Sequence, residues 1–311
     1  MSQPAARHWA NKPERGNRMV LRLTTWLVKY LPAGVMRLVT GLVVVYYYIS
    51  APQERRHIAR YQARLQAWSG RYDLFPNRLA VYRQFAAFGE ALVDRFAVWQ
   101  RRLRYEHIRV DDADHLYDEI RQRPARGQMF ITSHLGNVEI CRALVSHHQG
   151  FVLNVLMHSK HAQQFNRALK AAGADDIRIV QVTDLDAQTM WQLQQRLDAG
   201  EWLAIAADRI PVRGEKTVTV SFLGHDALLP QGPWLLAGLL QAQVNMLTCT
   251  KQQGQYCLQL RRLGDGIRWQ RRNRSEVVQQ WAQRYADLLA QGCLNTPLQW
   301  FNFYDFWGDD A

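Results

Sequence analysis

QMFITSHLGNVEICRALVS, residues 128–146, contains the clearest strand-turn-helix pattern of the chain. Its first part, Gln128–Ser133, is a short apolar run of the kind that forms a buried strand. Gly136 then permits a tight turn, and Asn137–Ser146 carries apolar residues at helical spacing. A buried strand that turns directly into a helix is the building unit of a sheet covered by helices.

Apolar runs of strand length continue to the end of the chain, and helical patterns separate several of them. The predicted strands are Phe151–Met157, Ile177–Val182, Trp202–Ala207, Val218–Phe222, Asn245–Cys249 and Tyr256–Leu260. The predicted helices are His161–Ala172, Asp186–Ala199 and Ser275–Gln291, the last with Ser275 as its N-cap. This alternation predicts the α/β class, with a single mixed central sheet flanked by helices.

The N-terminal part of the chain is apolar and basic. Met19–Leu31 and Val35–Ile49 are apolar runs separated by Pro32. Neither reaches the roughly 20 residues that a membrane-spanning helix needs, and joining them would place Lys29 or Arg37 in the hydrocarbon. We therefore expect two short helices at the membrane interface, with the tyrosines at 46–48 at headgroup level. The alternative is a pair of ordinary helices buried in a soluble core.

Two amphipathic helices follow this apolar region. Gln53–Arg71 is strongly basic, and Leu79–Trp99 carries a phenylalanine stripe that is more typical of a core than of a cofactor site. We divide the chain into a membrane-anchoring segment, residues 1–52, and an α/β domain, residues 53–311.

The charge balance favours anionic partners. The 311 residues carry a formal net charge of +12, and arginines cluster at Arg101–Arg104 and Arg268–Arg274. Phospholipid headgroups, an acidic carrier protein and nucleic acid all fit such a surplus. The four cysteines lack CxxC spacing, which indicates reduced thiols facing the cytosol. No cleavable signal peptide is expected, because the first 17 residues are polar and basic.

His134 and Glu139 are the candidates for chemistry. His134 follows the predicted strand, and Glu139 lies five residues later at the start of the predicted helix. A histidine at a strand end suits general-base catalysis, since its pKa lies near neutrality and a carboxylate can fix its tautomer. The competing interpretation is a histidine and a glutamate that serve only packing or the surface. The histidine pairs at 147–148 and at 158 and 161 lack accompanying acids or cysteines, so no metal is expected.

The segment HLGNVE, residues 134–139, resembles the H-x4-[DE] motif of the lysophospholipid acyltransferase superfamily. Within it, the chain is most similar to the late acyltransferases of lipid A biosynthesis. Three further segments agree in order: Asp208-Arg209 after LAIAA, SFLGHDALLPQGPWLLAGLL at 221–240, and PLQWFNFYDFW at 297–307. The resemblance covers Trp9 to Trp307. Val138 replaces an aromatic residue of many relatives, and no FPEGTRS-like block is present, which disfavours a lysophosphatidate acceptor.

The resemblance implies an acyltransferase without a cofactor. His134 would deprotonate the acceptor hydroxyl, which attacks an acyl thioester, and Glu139 would orient His134. It also implies a thioester donor on acyl carrier protein or coenzyme A, with the carrier protein favoured, and a membrane lipid or glycolipid as acceptor. The place of action would be the cytoplasmic face of a bacterial inner membrane with its anionic surface.

Three more residues, Asn137, Asp208 and Arg209, are candidates for binding substrate. Arg209 follows a hydrophobic strand and suits the oxyanion or an acceptor phosphate, or it pairs structurally with Asp208. Asn137 either donates to the oxyanion or caps the following helix, and capping is favoured. Leu229–Pro233 predicts a turn before an apolar helix that lines an acyl channel or belongs to the core.

Other functions remain open at this point. The alternative within the same class is an acyltransferase for another lipid, such as a polyene-type or ornithine-type lipid. A second class is a non-enzymatic basic protein that binds membranes or nucleic acid. Under the acyltransferase hypothesis, by contrast, no nucleic acid is expected as a partner. A third possibility is a hydrolase that uses the same histidine base on water, for which no serine or cysteine nucleophile in a G-x-S-x-G elbow is visible.

Overall fold

A computed structural model describes residues 33–99, 105–122, 125–141, 150–157, 177–181, 186–210 and 216–308, with the backbone alone at 33, 95–99 and 139. Its helices are α1 (Ala33–Ser50), α2 (Pro52–Ser69), α3 (Ala80–Trp99), α4 (Leu116–Gln122), α5 (Ala187–Asp198), α6 (Gly232–Leu239) and α7 (Arg274–Asn295). Its strands are β1 (Ile108–Asp112), β2 (Met129–Thr132), β3 (Leu153–Met157), β4 (Ile177–Gln181), β5 (Trp202–Ala206), β6 (Thr217–Phe222), β7 (His225–Pro230), β8 (Val244–Gln252) and β9 (Gln255–Gly264). Short 3-10 turns occupy Tyr105–His107 and Val138–Ile140.

Seven of the strands form one mixed sheet in the order β1-β9-β8-β2-β5-β3-β4. The pairs β2–β5, β2–β8, β3–β5, β3–β4 and β1–β9 are parallel, and β8–β9 is antiparallel. The predicted α/β fold with a mixed central sheet flanked by helices is confirmed. Since β2, β5 and β8 run in the same direction, the residues that follow them meet at one edge of the sheet.

The two central strands explain why the sheet forms here. All four residues of β2 are buried, and the first four of β5 are buried. Ile131 and Ile205 belong to the core on one face, whereas Phe130 and Trp202 pack on the other with ring centroids 4.8 Å apart. Strands that are apolar on both faces are typical of the covered centre of a parallel sheet.

Several sequence predictions need correction at the borders of elements. β1 and β7 were not predicted, and β6 pairs only with β7 in a separate two-stranded ribbon. Leu229–Pro233 is less of a turn than expected, because β7 continues through Pro230 and α6 begins at Gly232. Trp234 of α6 is fully buried, which agrees with the core interpretation of this helix. Ser275 is not the N-cap of α7, since the helix begins at Arg274 after Asn273.

Among the described residues, helix α3 packs against one side of helix α1. Val44 packs with Phe85 of α3, and a Cβ on Gly89 would approach Val44 Cγ2 to 2.6 Å, so the glycine permits the close helix contact. The rest of α1 exposes large apolar side chains: Val35, Leu38, Leu42, Val43, Val45, Tyr46 and Ile49. These side chains form the apolar face of α1.

Among the described helices, none is long and apolar enough to cross a membrane alone. α1 and α2 meet that requirement only as a pair, and they are bent by 91° relative to each other. The predicted helix Val35–Ile49 corresponds to α1. Met19–Leu31, Pro32, His161–Ala172, Arg101–Arg104 and most of Asn137–Ser146 lie outside the described residues. The division at residue 52 and the interfacial location of α1 stay predictions.

Candidate active site

His134 lies on a tight turn directly after β2. The turn is fixed by backbone hydrogen bonds: Gly136 N donates to Gln299 O at 2.8 Å, and Asn137 N donates to Cys249 O at 2.7 Å. Gly136 has φ +73, and a Cβ there would lie 2.0 Å from Cys249 O. Only glycine fits, because this position combines a left-handed backbone with direct contact to β8. The predicted turn that separates His134 from the next helix is confirmed.

Within the described residues, the carboxylate of Asp208 contacts the His134 ring. It follows β5, the parallel neighbour of β2, so both residues emerge at the same edge of the sheet. His134 Nδ1 lies 2.8 Å from Asp208 Oδ1, and His134 N donates to Asp208 Oδ2 at 2.8 Å. The side chain of Asp208 is 0% exposed, whereas that of His134 is 34% exposed. The pair therefore has a buried acidic end and a basic end that is open to substrate.

The charge state of Asp208 sets the tautomer of His134. Burial alone would raise the pKa of Asp208, but the charge and hydrogen bonds of His134 and the charge of Arg209 bring it below the usual value. An ionised carboxylate can only accept hydrogen bonds, so His134 Nδ1 carries the proton. In the neutral ring, Nε2 is then the nitrogen that accepts a proton.

The segment after α7 supplies more donors to Asp208. Trp300 Nε1 and Asn302 Nδ2 each donate to Asp208 Oδ2 at 3.3 Å. The Tyr304 hydroxyl donates to the backbone oxygen of Asp208 at 3.1 Å, and Phe301 N donates to His134 O at 2.9 Å. Trp300 is 0% and Asn302 is 3% exposed. This C-terminal segment, residues 300–304, holds the His134–Asp208 pair from behind.

Arg209 is the cation next to the pair. Its Nε donates to Asn302 Oδ1 and its Nη2 to Phe301 O, both at 2.9 Å. The guanidinium carbon lies 5.9 Å from the centre of the Tyr304 ring. These contacts place a half-buried positive charge beside His134 and Asp208. Arg209 lies next to Asp208, as predicted from the sequence. Its described hydrogen bonds, however, go to Asn302 and Phe301 of the C-terminal segment.

The side chain of Asn137 is described, whereas only the backbone of Glu139 is described. Asn137 is 1% exposed, and its Nδ2 donates to Ala91 O at 2.8 Å, which ties the catalytic turn to α3. Within the described part of the chain its Oδ1 has no hydrogen-bond partner, so the expected helix cap is not seen. Glu139 has its backbone in the turn Val138–Ile140, and its side chain is outside the described atoms. Its catalytic role stays a prediction.

The sequence pattern missed Asp208 as a partner of His134. Asp208 was predicted to bind substrate, yet it is fully buried behind the histidine. Trp300 and Asn302 were not assigned a role. One signal was available for Asn302: a single asparagine inside WFNFYDFW must satisfy its amide in apolar surroundings.

An aromatic cluster connects the site with α1. The cluster comprises Tyr48, Tyr82, Phe85, Phe88, Phe301 and Phe303. Phe88 lies 5.2 Å from Phe301 and 5.3 Å from Phe303, measured between ring centroids. Because Phe301 also bonds to His134, apolar side chains run from the exposed helix α1 to the catalytic turn.

A polar cavity lies at the same edge of the sheet, beside the β8–β9 hairpin. It has a volume of about 520 Å³ and is lined by Arg109, by the ends of β8 and β9, and by residues 295–299. Arg109 donates to Gln252 at 2.9 Å, and Lys251 binds Glu90 at 2.6 Å and Asp94 at 2.9 Å. Helix α3 thus passes from the aromatic cluster at Phe88, over the turn at Ala91, to Asp94, which binds Lys251 and Tyr256 of the cavity lining.

The arginine clusters and histidine pairs of the sequence are described only in part. The described arginines of the cluster at residues 268–274 are exposed before and at the start of α7, while Arg101–Arg104 and the histidines at 147–148, 158 and 161 fall outside the described ranges. In the described parts of the chain, no group of three or more His, Cys, Asp or Glu side chains is placed to hold a metal ion.

Comparison with known families gives one match, which covers nearly the whole chain. The model of the family described as bacterial lipid A biosynthesis acyltransferase matches residues 24–308. This range includes the turn at His134, the Asp208-Arg209 pair and the C-terminal segment. No curated protein matches the chain.

Proposed function

The chain belongs to the bacterial lipid A biosynthesis acyltransferases, and from this premise we propose that His134 and Asp208 form its catalytic pair. An acyltransferase acting on lipid follows from the family. The finer proposal is that the chain moves an acyl group from a thioester to a hydroxyl of a membrane lipid or glycolipid. The observation that carries it is the 2.8 Å contact between His134 Nδ1 and the fully buried Asp208.

The proposed reaction has two proton transfers. His134 Nε2 takes the proton of the acceptor hydroxyl while its oxygen bonds to the thioester carbonyl carbon. The tetrahedral intermediate then re-forms its carbonyl and expels the thiolate, which receives the proton from the imidazolium. Asp208 stays ionised throughout and stabilises the imidazolium, as the carboxylate of a Ser-His-Asp triad does.

Arg209 is suited to the negative charge of the intermediate or of the acceptor. Its hydrogen bonds to Asn302 and Phe301 fix the guanidinium before substrate arrives. A donor fixed in advance is effective in catalysis, and losing one typically costs about 2 to 4 kcal/mol of transition-state stabilisation. We therefore assign Arg209 to substrate binding and Asp208 to positioning His134.

Glu139 retains a proposed role that differs from the one suggested by the resemblance. A neutral imidazole has a single N–H, and Asp208 already accepts at Nδ1. We infer that Glu139 acts on the charge of the imidazolium or on the acceptor hydroxyl rather than as the Nδ1 partner. Replacement of Glu139 by glutamine keeps an acceptor but removes the charge, so we expect a loss no greater than that of a His134 replacement.

The surroundings of the turn favour an amphiphilic acceptor. The aromatic cluster offers an apolar wall for acyl chains, and the polar cavity offers carboxamides and Arg109 for a hydroxyl-rich anionic headgroup. The turn at His134 lies between them along α3. An acceptor with a polar headgroup, apolar chains and a reactive hydroxyl near their junction would place that hydroxyl at His134.

The apolar face of α1 supports an attachment to the membrane. Seven large apolar side chains are exposed on this helix, and arginines of α2 begin directly after it. Interfacial helices combine such an apolar face with basic residues that meet lipid phosphates. We propose that the chain acts at the cytoplasmic face of the inner membrane, with α1 at the interface.

The proposed donor is an acyl thioester of acyl carrier protein. The exposed arginines at 268–274 and the net charge of +12 would attract an acidic protein. Coenzyme A presents only a few phosphates and would engage fewer of these residues.

The function is tested by purifying the protein with phospholipid vesicles and following acyl transfer to isolated glycolipid and phospholipid acceptors by mass spectrometry. His134→Ala should lower the rate by about 10² to 10⁴, the usual range for loss of a general base. His225→Ala is the matched control, because His225 is exposed on β7. Transfer by His134→Ala at the rate of the control would refute the assignment.

A further inference from the structure

Asn302 is in hydrogen-bond contact with both charged residues behind the catalytic turn. Its Oδ1 accepts from Arg209 Nε at 2.9 Å. Its Nδ2 donates to Asp208 Oδ2 at 3.3 Å and lies 3.4 Å from the backbone oxygen of Asp208. With only 3% exposure, Asn302 has little room to exchange these contacts for water.

The orientation of the Asn302 amide is determined by its neighbours. A guanidinium only donates hydrogen bonds and a carboxylate only accepts them, so the amide oxygen must face Arg209 and the NH2 must face Asp208. The flipped amide would place a donor against a donor and an acceptor against an acceptor. Each buried group would then be left without its partner, which destabilises the flipped orientation.

We propose that Asn302 is a positioning residue that couples the orientation of Arg209 to that of the His134–Asp208 pair. The proposal rests on the proposed function, in which Arg209 meets anionic charge and His134 takes the proton. Through a single planar amide, Asn302 fixes the spacing between the cation and the carboxylate. Arg209, which meets the oxyanion, and His134, which takes the proton of the attacking hydroxyl, then keep fixed positions relative to each other.

Replacing Asn302 by aspartate gives a specific signature. The ionised side chain would place a second carboxylate about 3.3 Å from Asp208, and two such groups in a buried site share a proton, so one pKa rises strongly. When that proton sits on the new side chain, the acid again donates to Asp208 and accepts from Arg209, as the amide does. Low pH therefore restores the arrangement that high pH disrupts.

The other titratable groups around the pair do not produce this signature. Burial raises the pKa of Tyr285, Tyr304 and Cys293, so all three stay neutral between pH 5 and 9. His134 takes up a proton in both proteins, whereas the charge introduced at residue 302 acts on it only in the variant and only while that side chain is ionised. The ratio of the two activities therefore isolates the carboxylate introduced at residue 302.

The experiment compares kcat/KM of Asn302→Asp with that of the native protein in steps from pH 5.5 to 8.5. We expect the variant to be at least tenfold slower at pH 8.5, with the ratio rising by up to about tenfold per pH unit as pH falls towards the raised pKa. Asn77→Asp is the control, because it makes the same substitution at an exposed residue outside the site and the cavity. A ratio that is flat with pH overturns the proposal.

A second measurement covers the case in which Asn302→Asp does not fold. Asn302→Ala and Arg209→Ala are compared alone and together. If Asn302 acts partly through Arg209, the loss caused by Asn302→Ala is smaller when Arg209 is already replaced. Fold-losses that simply multiply overturn the coupling. Failure of the proposed function itself would instead appear as a native rate equal to that of His134→Ala.

Discussion

Replacing Asp208 by asparagine should abolish catalysis while leaving the shape of the site unchanged. Asp208 Oδ2 receives three hydrogen bonds, from His134 N, Trp300 Nε1 and Asn302 Nδ2, whereas Oδ1 faces His134 Nδ1. The single oxygen of an asparagine is best satisfied at the Oδ2 position, among the three donors. Its NH2 group then points at Nδ1, which must become an acceptor.

The consequence is the wrong tautomer of His134. With Nδ1 accepting, the ring proton moves to Nε2, and this nitrogen can no longer take the proton of the acceptor hydroxyl. The corresponding substitution in a Ser-His-Asp triad lowers kcat by about 10⁴. At about 1.36 kcal/mol per factor of ten, Asp208→Asn should raise the barrier by about 5 kcal/mol.

The assay measures kcat and KM separately, with donor and acceptor varied in turn. KM should change little, because Asp208 is fully buried and contacts no substrate in the proposed arrangement. Asp226→Asn provides the matched control on the exposed surface of β7. Far-UV circular dichroism spectra of both variants should resemble that of the native protein, which would show that they are folded. A kcat for Asp208→Asn within tenfold of the control would refute the proposed pairing of His134 with Asp208.

The remaining predictions address the membrane, the donor and the dependence on pH. The double substitution Leu38→Ser and Leu42→Ser should reduce sedimentation of the protein with anionic vesicles. Leu239→Ser, at a similarly exposed site on α6, should leave it unchanged. Equal sedimentation of the two variants would count against α1 as the attachment site. A carrier-protein thioester should give a higher kcat/KM than coenzyme A carrying the same acyl chain, with an advantage that declines as salt rises, and equal values would reject this donor. Asp208 has a lowered pKa in the folded protein, so its stabilising contribution is present above the unfolded value of about 3.9 and is lost as pH falls through the folded value. The stability difference between the native protein and Asp208→Asn should therefore shrink between pH 5 and 3, as read from denaturant midpoints, and a constant difference would contradict this sign.

The sequence was informative about His134 because the relevant signals are local. An apolar run, a glycine and a helical pattern within 128–146 predicted the strand and the turn, and both are present. The mixed sheet was predictable for the same reason, since each central strand is apolar along its whole length. β1 and β7 escaped notice because they are partly exposed and carry charged residues.

The partner of His134 depends instead on the order of strands in space. Asp208 is 74 residues from His134 along the chain, and it reaches the ring only because β5 is the direct parallel neighbour of β2. Asn302 and Trp300 are still more distant and come from a segment without regular secondary structure. Hydrophobic periodicity specifies which residues are buried within a strand, but it does not specify which strands are adjacent. The resemblance implied that Glu139 orients His134, whereas the sheet brings the buried carboxylate of Asp208 to Nδ1 of the histidine ring.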